Sequence, residues 1–139
     1  MATPNLHIKA RDLMQTRIVA VTRQYSARDL SILIHSGTFS GVPVIEPGNH
    51  LVGMVTEFDV LKALVDGKDL HMLKAEDVMT PHPVTVEETT TAEEIVKHMI
   101  EHKIIRIPVV RDGKLLGMIS RTDLLNHLID NHLINVYGG

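Results

Sequence analysis

The sequence predicts an α/β (α+β) chain of two β-α-β-β-α repeats, packed sheet to sheet with pseudo-two-fold symmetry. Three aligned blocks predict it. ARDLMQTRIVAV (residues 10–21) matches AEDVMTPHPVTV (75–86), 65 positions on, and GVPVI (41–45) matches RIPVV (106–110) at the same offset. GMVTEFDVL (53–61) then matches GMISRTDLL (117–125) at an offset of 64, because the turn EPGNH (46–50) is one residue longer than RDGK (111–114). A fixed period settles the architecture before any single element is assigned, and a surface turn is where an insertion is best tolerated.

The elements follow in the same order in both copies. A short helix carries Asp12-Leu13-Met14 in the first and Asp77-Val78-Met79 in the second. β-branched stretches at Ile18–Val21 and Val84–Val86 read as strands, the second entered through Pro81-His82-Pro83, whose prolines remove N–H donors. Helices then start at Ser26 with Asp29 and at Thr91 with Glu94, each a hydroxyl cap with an acid three residues on. Leu30, Leu33 and Ile34 form a helical apolar stripe in the first copy, as do Ile95, Val96, Met99, Ile100 and Ile104 in the second. Two strands follow, joined by turns containing Pro-Gly-Asn or Asp-Gly. A last amphipathic helix carries Leu61, Leu64 and Val65, or Leu124, Leu125, Leu128 and Ile129.

The predicted boundaries are 1–67 for the first repeat with its N-terminal segment, 68–74 for a polar connector, and 75–139 for the second repeat with its C-terminal tail. A unit of about 60 residues has a marginal core of its own, so two copies are expected to form one folding unit.

Composition narrows the function. Among 139 residues, hydrophobic types make up 44% and charged types 22%, the balance of an ordered soluble chain. Two Phe, two Tyr and no Trp leave few platforms for stacking bases, and a net charge of −3 disfavours a phosphate backbone as partner. With no cysteine there is no disulfide, thiolate metal site or cysteine nucleophile, which suits a reducing compartment. No uncharged apolar run approaches membrane-spanning length, so the expected location is cytoplasmic.

DVM with TPHPVTV, the IPVV run before a turn, and G-hydrophobic-hydrophobic-(S/T)-x-x-D occur as an ordered set in both halves. On these residues the chain resembles, over 10–131, a tandem pair of cystathionine-β-synthase-type (CBS) domains, a Bateman module. The resemblance implies a regulatory module rather than an enzyme, here a stand-alone one. Relatives hold an adenine nucleotide or adenosyl compound between two repeats, without a catalytic cofactor, dimerise, and signal to a regulated protein that the sequence does not name.

The G-x-x-(S/T)-x-x-D corner is where such a ligand is expected. Ser120 caps the helix that starts at Arg121, so unpaired N–H groups and the positive end of the helix dipole are expected to meet there and accept phosphate. Asp123 can fold back as the acid of a capping box, and the resemblance gives it the ribose hydroxyls as well, a task suited to an acceptor-only carboxylate. Thr56 and Asp59 form the same pair in the first copy. Arg121 and Arg106 replace Glu57 and Gly41, so the second corner is expected to bind phosphate more strongly. An apolar slot for the base would come from Val42, Pro43, Ile107 and Pro108, with Ile18 and Val19 or Pro83 and Val84; ordinary core packing is the competing reading of all of them.

His98 and His102 share a helical face, but two ligands do not close a metal site and no HExxH pattern accompanies them, so they read as exposed histidines beside an apolar stripe. No nucleophile elbow or Walker-type loop is present, and Asp59 and Asp123 head different helices with no activated nucleophile nearby. The alternative function is a ligand-free dimerisation or docking scaffold in which both corners are only caps.

Overall fold

A computed structural model describes residues 5–36 and 41–129. The chain has helices α1 (Ala10–Leu13), α2 (Ala27–His35), α3 (Glu57–Val65), α4 (Ala75–Val78), α5 (Ala92–His102) and α6 (Arg121–Ile129). Its strands are β1 (Val21–Thr22), β2 (Gly41–Glu46), β3 (His50–Thr56), β4 (Thr80–Pro81), β5 (Val86–Glu87), β6 (Arg106–Arg111) and β7 (Lys114–Ser120). The fold is mixed α+β. No helix among the described residues is long and apolar enough to cross a membrane.

Two compact units form, and they do not follow the repeat boundaries. Among the described residues the first-repeat unit is Ile18–Pro83 with Asp112–Leu115, and the second-repeat unit is 5–17, Val84–Arg111 and 116–129. The leading segment of each repeat therefore belongs with the elements of the other.

In the first-repeat unit β1 pairs parallel with β2 through Val21 and Val44, and β2 pairs antiparallel with β3 from Gly41↔Thr56 to Glu46↔His50. Glu46 and His50 flank a turn in which Gly48 (φ 87°) and Asn49 (φ 65°) are left-handed, a conformation that Gly and Asn adopt readily. The Asp112–Gly113 turn joins this unit because Leu51 N–H donates to the Gly113 carbonyl (3.0 Å) and Leu115 N–H to that of Asn49 (2.9 Å). The core holds Val21, Leu30, Ile34, Val42, Val44, Val55 and, from α4, Ala75.

The second-repeat unit repeats the plan. β5 pairs parallel with β6 through Val86 and Val109, and β6 neighbours β7. Its core holds Val86, Ile95, Met99, Ile107, Val109, Ile119 and Leu124, with Ala10 and Leu13 from α1. Leu30 of α2 and Ile95 of α5 are both fully buried, each stabilising its unit by about 1.5–3 kcal/mol.

The predicted caps form: Asp29 N–H donates to Ser26 Oγ (3.3 Å) and Glu94 N–H to Thr91 Oγ1 (3.3 Å). The predicted first strands are shorter than expected. Ile18, Val19 and Ala20 are irregular and only Val21–Thr22 pairs; likewise Val84 and Thr85 are irregular before β5. His82, between two prolines, is left-handed (φ 50°), and that kink ends β4 at Pro81. The connector is more ordered than a polar spacer: Leu70–Met72 forms a 3-10 turn capped by Asp69, which accepts from His71 N–H (3.0 Å). These bonds hold the Asp69 carboxyl below its usual range.

Candidate functional site

Each candidate corner is a strand that runs straight into a helix. β3 ends at Thr56, where α3 begins, and β7 ends at Ser120, where α6 begins. Glycine precedes each corner by three residues because the other strand side is occupied at close range. A Cβ on Gly117 would lie 2.6 Å from Met14 Sδ and 2.9 Å from the Gln15 carbonyl oxygen. A Cβ on Gly53 would collide with Met79 Sδ and lie 3.0 Å from the Thr80 carbonyl oxygen. The leading segment of the opposite repeat is thus laid against each corner, through the bridges Gln15↔Met118 and Met54↔Thr80.

Both corners are complete capping boxes. Ser120 N–H donates to Asp123 Oδ2 (2.9 Å), and Asp123 N–H donates to Ser120 Oγ (3.1 Å). Thr56 N–H donates to Asp59 Oδ2 (2.7 Å), and Asp59 N–H to Thr56 Oγ1 (3.4 Å). The first corner carries two bonds more: Thr56 Oγ1 donates to Asp59 Oδ2 (3.0 Å) and Thr80 Oγ1 donates to Asp59 Oδ1 (2.8 Å).

An ionised carboxylate offers about four acceptor positions. Asp59 accepts three hydrogen bonds, whereas Asp123 accepts one among the described residues. Asp123 Oδ1 is left to other donors. At Oδ1 the difference lies at one repeat position: Thr80 reaches its aspartate, while Gln15, its counterpart, makes no such bond.

The phosphate expectation needs correction at the backbone. Arg121 N–H donates to the Ile105 carbonyl (2.8 Å) and Asp123 N–H to Ser120 Oγ, so two of the first three amides of α6 are satisfied internally. A β7–α6 junction this tight consumes the donors that a looser helix start would present. Phosphate binding would therefore fall to side chains: Arg121, which is exposed, and Arg106, which is half-buried. Burial lowers Arg106 from the usual guanidinium range, and the Asp123 carboxylate pulls it back. Glu57, in the position of Arg121, is also exposed.

The aspartates open onto hollows within their own units. Asp123 borders one of about 260 Å³ with Asp12, Leu13, Gln15, Asn126 and His127. Asp59 borders one of about 270 Å³ with Lys62, Ala63, Asp77, Val78, Met79 and Thr80, among others. The two linings are repeat-equivalent positions, an outcome the sequence reading missed; the alignment of Asp12 with Asp77 and Thr80 with Gln15 carries the signal.

The expected base slot is not on either lining. Val42 and Ile107 are fully buried inside the two cores, and Pro43 and Pro108 are also fully buried, so these four pack the interior. Val84 packs half-buried against the second core. Ile18 and Pro83 are half-buried and Val19 is exposed, all on the first-repeat unit.

Comparison with known proteins agrees with this layout. The CBS domain family profile matches residues 10–66 and again 75–130. The chain is 32% identical to the uncharacterized protein YlbB of Bacillus subtilis, over 84% of this chain and 79% of that one. Other curated relatives are longer, and the chain spans 24%, 42% and 52% of three of them. Among solved structures, CBSX2 in complex with AMP superimposes with a TM-score of 0.74 at 28% identity, covering 92% of this chain and 97% of that one. The CBS domain pair of MJ0100, in complex with 5′-methylthioadenosine and S-adenosyl-L-methionine, superimposes with a TM-score of 0.75 over 84% and 96%; at 21% identity it shows the fold alone.

Proposed function

Since the chain belongs to the CBS domain family, we propose that it is a regulatory module that binds an adenosine-containing ligand and passes its occupancy to a partner protein. One observation carries the reading: Asp123, anchored by its capping box, keeps an oxygen without a hydrogen bond among the described residues. AMP, 5′-methylthioadenosine and S-adenosylmethionine share adenine and a ribose diol, and only AMP has a phosphate. A carboxylate that accepts from the diol is the recognition element common to all three. The second corner is the preferred site, and Arg121 and Arg106 favour a phosphate-bearing ligand there. No chemical step is assigned to the chain, and the cysteine-free composition supports a cytoplasmic location.

A second observation supports the scaffold side of the function. On α3, Phe58 (81% exposed), Leu61 (52%) and Val65 (85%) share one helical face. Apolar side chains grouped in this way mark association surfaces, and a homodimer through α3 is the reading we attach to them.

The test is a calorimetric and thermal-shift panel of AMP, ADP, ATP, NAD, 5′-methylthioadenosine and S-adenosylmethionine. A ligand at about 100 times its Kd stabilises by about 2.7 kcal/mol. Silence from the whole panel in both assays would remove the sensor reading and leave the scaffold. Light scattering on the native chain and on Phe58→Glu tests the dimer, which the added charge should dissociate.

A further inference from the structure

We propose that the last turn of α5 is a binding site for a zinc-type divalent cation, held by His98, Glu101 and His102. Positions i, i+3 and i+4 of a helix fall on one face. Here one donor atom from each of the three side chains lies within 4.8 Å of the others. The two imidazole rings are 6.1 Å apart and nearly parallel, at 17°.

In a tetrahedral site with metal–nitrogen distances of about 2.0–2.1 Å, neighbouring ligand atoms are about 3.3 Å apart. Small side-chain rotations close the remaining gap. Glu101 is the third donor that the two histidines lack in a reading of the sequence, and His-x-x-Glu-His is a spacing distinct from HExxH.

The surroundings favour a cation. His98 Nδ1 is enclosed and has no hydrogen-bond partner among the described residues, so that nitrogen is not committed to a protein group. Among the described residues Glu101 pairs only with His102, at 4.0 Å, and it is 73% exposed, hence free to turn. The nearby Lys97 is engaged by Glu93 (3.7 Å) one turn back. The site also sits at the carbonyl end of α5, where the helix dipole favours positive charge. Two nitrogens and one carboxylate oxygen suit Zn²⁺ better than Mg²⁺ or Ca²⁺, which take oxygen donors. Three protein ligands leave a fourth position for water or a group from another molecule.

The test uses the untagged full chain titrated with zinc chloride by calorimetry, and with cobalt chloride followed by visible absorption. One ion per chain should bind at this site, with the intense bands of tetrahedral Co²⁺. Changes even to outer-sphere partners alter metal affinity by about 10–100-fold, so His102→Ala should weaken Zn²⁺ binding by more than about tenfold. His102 is exposed, so the fold is expected to survive, and circular dichroism checks it. His98→Gln should weaken binding similarly, and Glu101→Gln by less. Native zinc affinity in the His98→Gln/His102→Ala double variant, or no binding at millimolar zinc, overturns the proposal.

Discussion

Replacing Asp123 by alanine separates a ligand-binding carboxylate from a helix cap, because the two roles predict different sizes of effect. As a cap, Asp123 accepts only Ser120 N–H among the described residues. Its loss should destabilise by about 1 kcal/mol, or about 3–4 °C in Tm for a chain of this length. As a ribose acceptor, it forms charge-assisted bonds worth about 1.5–3 kcal/mol each. Loss of even one weakens binding by about 10- to 150-fold. Ser120→Ala is the matched control, since it removes the bond from Asp123 N–H (3.1 Å) but keeps the carboxylate. It should lower Tm by a similar amount and leave affinity nearly unchanged. The assay is calorimetry with the tightest-binding ligand of the adenosine panel, alongside thermal melts of both variants. Equal loss of stability in both, with native affinity in Asp123→Ala, would refute the assignment of Asp123 to the ligand.

The remaining predictions concern the neighbouring segments. Thr80→Val frees Asp59 Oδ1; an ordinary hydrogen bond is worth about 0.5–1.5 kcal/mol, so first-corner affinity should rise by roughly two- to tenfold, seen as a second binding event in calorimetry. Gly117→Ala drives a Cβ against Met14 Sδ and the Gln15 carbonyl; because the carbonyl cannot rotate away, urea melts should show a loss of about 1–3 kcal/mol.

Much of this was legible in the sequence because the repeat supplied each inference twice. The caps at Ser26 and Thr91, both corner boxes and the equivalent core positions Leu30 and Ile95 all follow from aligned residues. The first strands were over-read: Ile18 and Val19 have the right side-chain type, but propensity describes fit to a sheet and does not supply a pairing partner. Val42 and Ile107 look equally suited to a ligand slot and to a core, and their complete burial is not written in any local pattern. The role of Thr80 was hidden because its bond to Asp59 spans 21 residues, beyond any local pattern. The packing of α1 was hidden for a related reason. Ala10 and Leu13 would fill either core, and what fixes them is backbone pairing, with Ala10 N–H donating to the Thr90 carbonyl (2.8 Å).

That packing sets the order in which the protein can be made. Ala10 and Leu13 leave the ribosome first, yet Ile119 and Leu124, in the same core, are translated roughly a hundred residues later. At about 5–20 residues per second the wait is roughly 5–20 s. The first-repeat unit likewise lacks its turn until Asp112–Leu115 appears. The first half cannot be finished during its own synthesis, and a gene cut between residues 67 and 75 would encode two fragments, each carrying a lead segment whose partners are on the other.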